Sequence, residues 1–274
     1  EVKLEAPTTW SQLDALAKFF HGRDWNGDGT PDQGIAAVLG HDPEGLGNAL
    51  FLARAASLGQ HRDQFSFLFD ADSMAPRIAA PPFVEALQGL LTWKDLGPSG
   101  GDSFYVTSAR EAFRSGKVAL LIDRAEQAAA WSESHPVGVF ALPGSDRVYE
   151  PLRKQWETPS SLNAPSYLPL GGGWLVGVKR GLGDTQAAAA LDLAIYLAAP
   201  DNVNRLRAER AFPMLPVRSA QMGKGLPDPI STPDVDSKQW ADALSQTLMA
   251  ERVVPGLRIP AAGQYLDLLS KGRV

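Results

Sequence analysis

Between Asp24 and Asp32 the chain reads D-W-N-G-D-G-T-P-D, with oxygen-bearing side chains at alternate positions: Asp24, Asn26, Asp28, Thr30 and Asp32. Gly29 falls where a sharp turn is needed. Hard oxygen ligands at positions 1, 3, 5, 7 and 9 around such a glycine match the first part of an EF-hand-type Ca²⁺ loop, Thr30 serving through its carbonyl. The twelfth position needs a bidentate Glu and here is Ile35. The spacing predicts a Ca²⁺ loop with one ligand missing locally. The alternative is an Asx-rich turn that closes without an ion.

A second set of groups follows a predicted buried strand, Val118 to Asp123. Ligands of open α/β sheets bind outside the carboxyl ends of the strands, which puts Asp123, Arg124 and Glu126 at the lip of a cleft. Trp156, in a predicted long loop, and Trp174, beside Gly172 and Gly173, are candidates for a ligand surface. Glycine allows close approach there, and indole offers a flat apolar face. Asp123, Glu126 and Glu157 could also serve as a glycosidase acid and base, but spacing along the chain does not show the separation that chemistry requires. Gly97-Pro98-Ser99-Gly100-Gly101 fits the G-x-S-x-G nucleophile pattern, yet a helix precedes it and polar residues follow it, so it reads as a loop. His21, His41, His61 and His135 are scattered without metal-ligand spacing, and no phosphate-binding glycine motif occurs.

Composition narrows the classes. The 274 residues carry 26 basic and 31 acidic side chains, a net charge of -5, and no basic block. A nucleic-acid or anionic-membrane surface does not fit that balance. With no cysteine in the sequence, thiolate metal sites and Cys nucleophiles are excluded, and an envelope protein is well suited. No apolar run approaches the ~18 residues of a membrane-spanning helix, so direct membrane insertion is not expected. No signal-peptide pattern opens the sequence as given, so any export signal is expected to have been removed or not included.

The elements that must position these residues alternate between helix and strand, the pattern of an α/β protein. Thr9-x-x-Gln12 is a capping box opening a helix whose apolar face is Leu13, Leu16, Ala17 and Phe20. A strand is expected over Gly34–Leu39 and a helix from Leu46 to Gly59. Pro81 and Pro82 start a third helix. Ser108-x-x-Glu111 reads as another capping box. Ala125–Trp131 is expected as a helix, and Val137–Leu142 and Trp174–Val178 as strands. Ser145–Pro169 is polar and Pro-rich and reads as a long loop. Two Ala-rich or capped helices follow Asp184 and Asp201, and two more run over 237–251 and 263–271. Trp10 and Trp240 fall on apolar helix faces and are expected in the core.

The order of several short motifs resembles the extracellular solute-binding proteins, family 1, of ABC importers for sugars. Pro7-Thr8-Thr9-Trp10 with Leu13 is similar to its P-x-T-W-x-E-L helix start, and Ala112 to Ala119 (A-F-R-S-G-K-V-A) to its A-F-x-x-G-K-x-A segment. Leu142-Pro143-Gly144, Gly172-Gly173-Trp174, the Ala187–Leu197 helix, and Phe212-Pro213 with Pro216-Val217-Arg218 follow in the family's order. The resemblance spans about residues 7 to 220. It implies an α/β, periplasmic-binding-protein-like two-lobed architecture in which the second lobe is complete and the first only partly present. Residues 7–173 would form the second lobe, 174–212 a first-lobe segment with the hinge strand, and 213–274 a helical return to the second lobe. It also implies a missing N-terminal segment, because the family's P-x-T-W helix lies well inside a longer chain.

The function so implied is non-catalytic, periplasmic or extracellular binding of a sugar or polyol for an ABC permease. The polar stretch Ile122 to Glu126, where the family commonly has an aromatic residue, points to a more polar ligand. Galactose-binding proteins of this functional class complete a similar calcium loop with a distant Glu, which implies a remote ligand here. The competing readings are a glycoside hydrolase using Asp123 or Glu126, and a calcium-stabilised structural module.

Overall fold

Thr9 ends the extended N-terminal run and starts α1 (Trp10–Phe20). Its hydroxyl accepts the Gln12 N–H, and the Gln12 side chain takes the Thr9 N–H, closing the expected capping box. The computed structural model describes residues 5–42, 44–64, 66–98, 106–131, 136–168, 176–208 and 235–272. Trp10, Leu13 and Ala17 form the buried stripe of α1, which lies on β1 (Gln33–Ala36). A Cβ on Gly34 would stand 2.0 Å from the Ala17 carbonyl oxygen, so only glycine lets this helix and strand meet. β1 pairs in parallel with β2 (Val118–Leu121), with Gln33 opposite Val118 and Ile35 opposite Leu120. Ile35, at the position where a calcium loop carries its glutamate, is 1% exposed in this strand.

α2 (Leu46–Gly59) and α3 (Pro81–Leu91) pack on each other and share the main core with α1 and β1. The Asp42 carboxylate opens α2 by accepting the Leu46 and Gly47 N–H groups at 3.0 and 2.9 Å. Arg54 of α2 lies inside this core. Its guanidinium sits 5.1 Å from the Trp10 ring and 5.3 Å from that of Trp93, and forks onto Asp14 at 2.7 and 3.2 Å. Trp93, on a 3₁₀ turn at Thr92–Asp95, gives its indole N–H to the same carboxylate at 2.7 Å.

Several local expectations change. α4 (Val106–Arg114) begins ahead of Ser108, so Ser108-x-x-Glu111 lies inside the helix rather than capping it. Ala125–Ala130 is 3₁₀ rather than α, and Val137 makes only an isolated bridge to Val235. The expected long loop after Ser145 contains β3 (Val148–Glu150), β4 (Gln155–Glu157) and β5 (Ser166–Leu168). β3 and β4 form an antiparallel hairpin in which Tyr149 faces Trp156, ring centroids 5.4 Å apart. Three-residue strands are too short for alternation to register, and a cross-strand aromatic pair holds them instead.

The later elements return to this body. β6 (Val253–Pro255) pairs in parallel with β5, and α7 (Ser237–Leu248), capped by Asp236, sets Trp240 and Leu244 against Trp131 and Val137. α8 (Ala262–Lys271) lies on α2. α5 (Asp184–Ala198) and α6 (Pro200–Ala208) contact each other. α5 buries none of its residues and leaves Leu191, Leu193, Ile195 and Tyr196 more than half exposed.

Candidate functional site

Because β1 and β2 are parallel, their carboxyl ends point the same way, and the segments leaving them, 37–45 and 122–126, can meet. Arg124 Nη2 donates to the Glu44 carbonyl, and Arg110 Nη2 lies 3.8 Å from the Glu44 carboxylate. The two strand-end loops are therefore tied at the edge where α/β sheets present their ligands.

Asp123 lies beneath this junction with a side chain 1% exposed. Arg110 Nε and Nη2 fork onto it at 2.7 and 2.8 Å, the Trp131 indole N–H adds a bond at 2.9 Å, and the Arg124 backbone N–H another at 2.8 Å. The bond to Asp123 is the main reason the Arg110 guanidinium is held charged even more firmly than usual. Asp123 thus positions Arg110 and the loop, while the groups within reach of a solute are its neighbours. Arg124 and Glu126 stand 4.0 Å apart at 33% and 20% exposure. Arg124 pairs with Glu126, as its sequence position allows, but the cation that clasps Asp123 is Arg110, which sequence reading missed.

A cleft of about 250 Å³ adjoins the junction, between the start of α2 and α8, and Glu44 belongs to both. His41 Nδ1 meets Ser270 Oγ at 2.9 Å across it, and the Asn48 amide donates to the Leu266 carbonyl at 2.9 Å. Asp267 is bonded to Lys271 Nζ at 2.6 Å. Sequence reading picked out none of these as site residues. The strand-end rule applied to β1 as well as β2 would have flagged the first of them, the 41–48 segment.

The other expected residues lie elsewhere. Trp156 stands on the β3–β4 hairpin, with the Arg147 guanidinium 4.5 Å above its ring. Glu157 beside it is 3.4 Å from His61 Nε2, and its carboxyl is held below the usual range chiefly by Gln155, then by His61. Gly172, Gly173 and Trp174 fall outside the described residues, as do Ser99 to Gly101 of the G-x-S-x-G match.

The 24–32 loop turns its oxygens on its own backbone. Asp24 accepts the Gly27, Asp28 and Gly29 N–H groups, Asn26 Oδ1 that of Asp28, and Asp32 those of Trp25 and Asn26. Asp28 accepts both the N–H and the hydroxyl of Thr30, and these bonds, more than nearby Lys117, lower its carboxyl below the usual value. Among the described residues no group of three or more His, Asp or Glu side chains converges as a metal cluster.

The strand-end loops of this α/β fold bring charged side chains beside a cleft. The chain belongs to the bacterial extracellular solute-binding protein family, whose model matches residues 2–243. Membership makes it an exported protein, and no helix among the described residues is long and apolar enough to cross a membrane. None of the curated proteins matches the sequence. Among solved structures, an ABC transporter solute-binding protein from Agrobacterium radiobacter K84, in complex with ribitol, is similar at 18% identity and a TM-score of 0.62 over 98% of this chain. The chain spans 59% of that protein's length. The maltose/maltodextrin-binding domain MalE from Bdellovibrio bacteriovorus, bound to maltotriose, matches 99% of this chain and 67% of its own, at 15% identity and a TM-score of 0.46. The first likeness establishes the binding-protein fold.

Proposed function

We propose that this chain captures a carbohydrate or polyol in the periplasm or outside the cell, without chemical turnover, for delivery to an ABC permease. The observation that carries this reading is the junction of the two strand-end loops, Glu44 with Arg124, beside a cleft in a member of a solute-binding family. Arg124, Glu126 and Glu44 exchange hydrogen bonds with water for bonds with solute hydroxyls, and the indole of Trp174 covers the solute's apolar face. Closure of two lobes about a hinge would complete the grip. The packing of α7 on Trp131 and the β5–β6 pairing favour a tail that returns to the 7–173 lobe, and the unburied α5 favours placing 174–212 in the other lobe. Against a glycosidase stands the state of Asp123, whose carboxylate is already taken by Arg110 and Trp131.

Ribitol, carried by the structural neighbour, supplies the first probe. Titration calorimetry with ribitol and a panel of sugars should show saturable heat, with every solute recovered unchanged. No saturable binding to any member, or hydrolysis of a chromogenic glycoside that Glu126→Gln abolishes, would count against the reading.

The 24–32 loop is proposed as a weak Ca²⁺ site. Asp24 Oδ2, Asp28 Oδ2 and Asp32 Oδ1 each accept one hydrogen bond and keep a lone pair, but no bidentate carboxylate follows, since Ile35 is in the core. Affinity of order 10⁻⁴–10⁻³ M is expected, the range of weak extracellular modules. Millimolar CaCl₂ should raise the melting temperature of the wild type and leave that of Asp28→Asn unchanged. An equal response in both proteins would remove the loop from the account.

A further inference from the structure

The charges around the 41–48 cleft do not balance. Among the described lysines and arginines beside the cleft, Arg110 is spent on Asp123, Arg124 stands by Glu126 and Lys271 is bonded to Asp267, so each already has its own carboxylate. Two acids lining it have no such partner: Asp42, 5% exposed and satisfied only by the α2 N–H groups, and Glu44, whose nearest cation is the committed Arg110 at 3.8 Å. A third feature is independent of charge. Asn48 lines the same cleft and gives its amide N–H to Leu266, while its Oδ1 is wholly buried with no hydrogen-bond partner. A buried carbonyl oxygen left unbonded is costly and is satisfied by a donor that arrives. The cleft therefore offers acceptors and surplus negative charge.

The geometry points to an ammonium-bearing polyol, an amino sugar or amino alcohol, as the solute class this cleft selects over neutral or acidic polyols. This rests on the capture of polyols proposed above and names which of them is preferred. The ammonium lies against Glu44, the hydroxyls donate to the remaining carboxylate oxygens, and a donor reaches Asn48 Oδ1. A solute carboxylate meets Glu44 and Asp42, and among the described residues no lysine or arginine beside them is left to receive it.

The test compares D-glucitol, its 1-amino-1-deoxy analogue D-glucamine, and D-gluconate, which share one carbon skeleton and differ in charge. Binding is followed by ¹H–¹⁵N NMR at the Asn48 side-chain amide, which reports weak association as well as strong. The expected dissociation constant for glucamine is about tenfold below that for glucitol, the order of one charge-assisted hydrogen bond. Gluconate should shift nothing. High salt should narrow the gap, and so should Glu44→Gln, an exposed position where the change is tolerated by the fold. Equal affinities for glucitol and glucamine, tighter binding of gluconate, or glucamine binding that leaves Asn48 unmoved would overturn the charge preference while polyol capture stood. If none of the three binds while ribitol or a sugar of the panel does, this inference falls alone; if the panel fails as well, polyol capture falls with it.

Discussion

Asp123→Ala should cost about 3 kcal/mol of folding stability, the scale for removing one partner of a buried ion pair. The carboxylate is 1% exposed and takes two guanidinium bonds, an indole N–H and a backbone N–H. Its loss leaves Arg110, only 16% exposed, with no closer carboxylate than the half-exposed Glu44 at 3.8 Å, and frees the Trp131 indole. Asp123→Asn should be nearly as costly, because its amide turns a donor toward a donor. Urea unfolding of the wild type and both variants measures the effect directly. A variant that keeps its stability within about 1 kcal/mol yet loses solute binding would move Asp123 from positioning residue to ligand contact.

The second large effect is expected at Arg54. Arg54→Ala empties the space between Trp10 and Trp93 and strips Asp14 of its cation, so both a cavity and a broken ion pair contribute. A loss of about 3–5 kcal/mol follows, which lowers the melting temperature on the order of 10 °C in a chain of this size. Gly89→Ala should act on the same group from the other side. A Cβ there would lie 2.2 Å from Arg54 Nη2, and the guanidinium has to leave the tryptophan slot to make room. Differential scanning calorimetry of the two variants and the double variant checks this. Additive losses would show that Gly89 acts independently of Arg54.

Local chemistry settled much of the chain by itself. The Thr9–Gln12 capping box, the proline start of α3 and the 3.6-residue stripe burying Trp10, Leu13 and Ala17 follow from dihedral limits and periodicity alone. The same holds for Trp240 on α7 and for the strand starting at Val118, which stops at Leu121 rather than running to Asp123 as expected. The family's motifs were legible for a similar reason, since each sits in a short stretch whose order along the chain is itself information.

Contacts between distant segments were not legible. Placing Asp123 after a strand said nothing of Arg110, because that pair forms only when α4 packs beside β2. The β3–β4 hairpin stayed hidden because each strand is three residues long and is held by the Tyr149–Trp156 pair rather than by alternation. The cleft is the extreme case. His41 and Ser270 are 229 residues apart in the chain, and their meeting depends on α8 docking on α2. Local propensity fixes which backbone conformation a segment adopts and which face it buries. Which side chains then meet across the cleft is decided by how helices pack on one another and on the sheet, and only the tertiary structure carries that information.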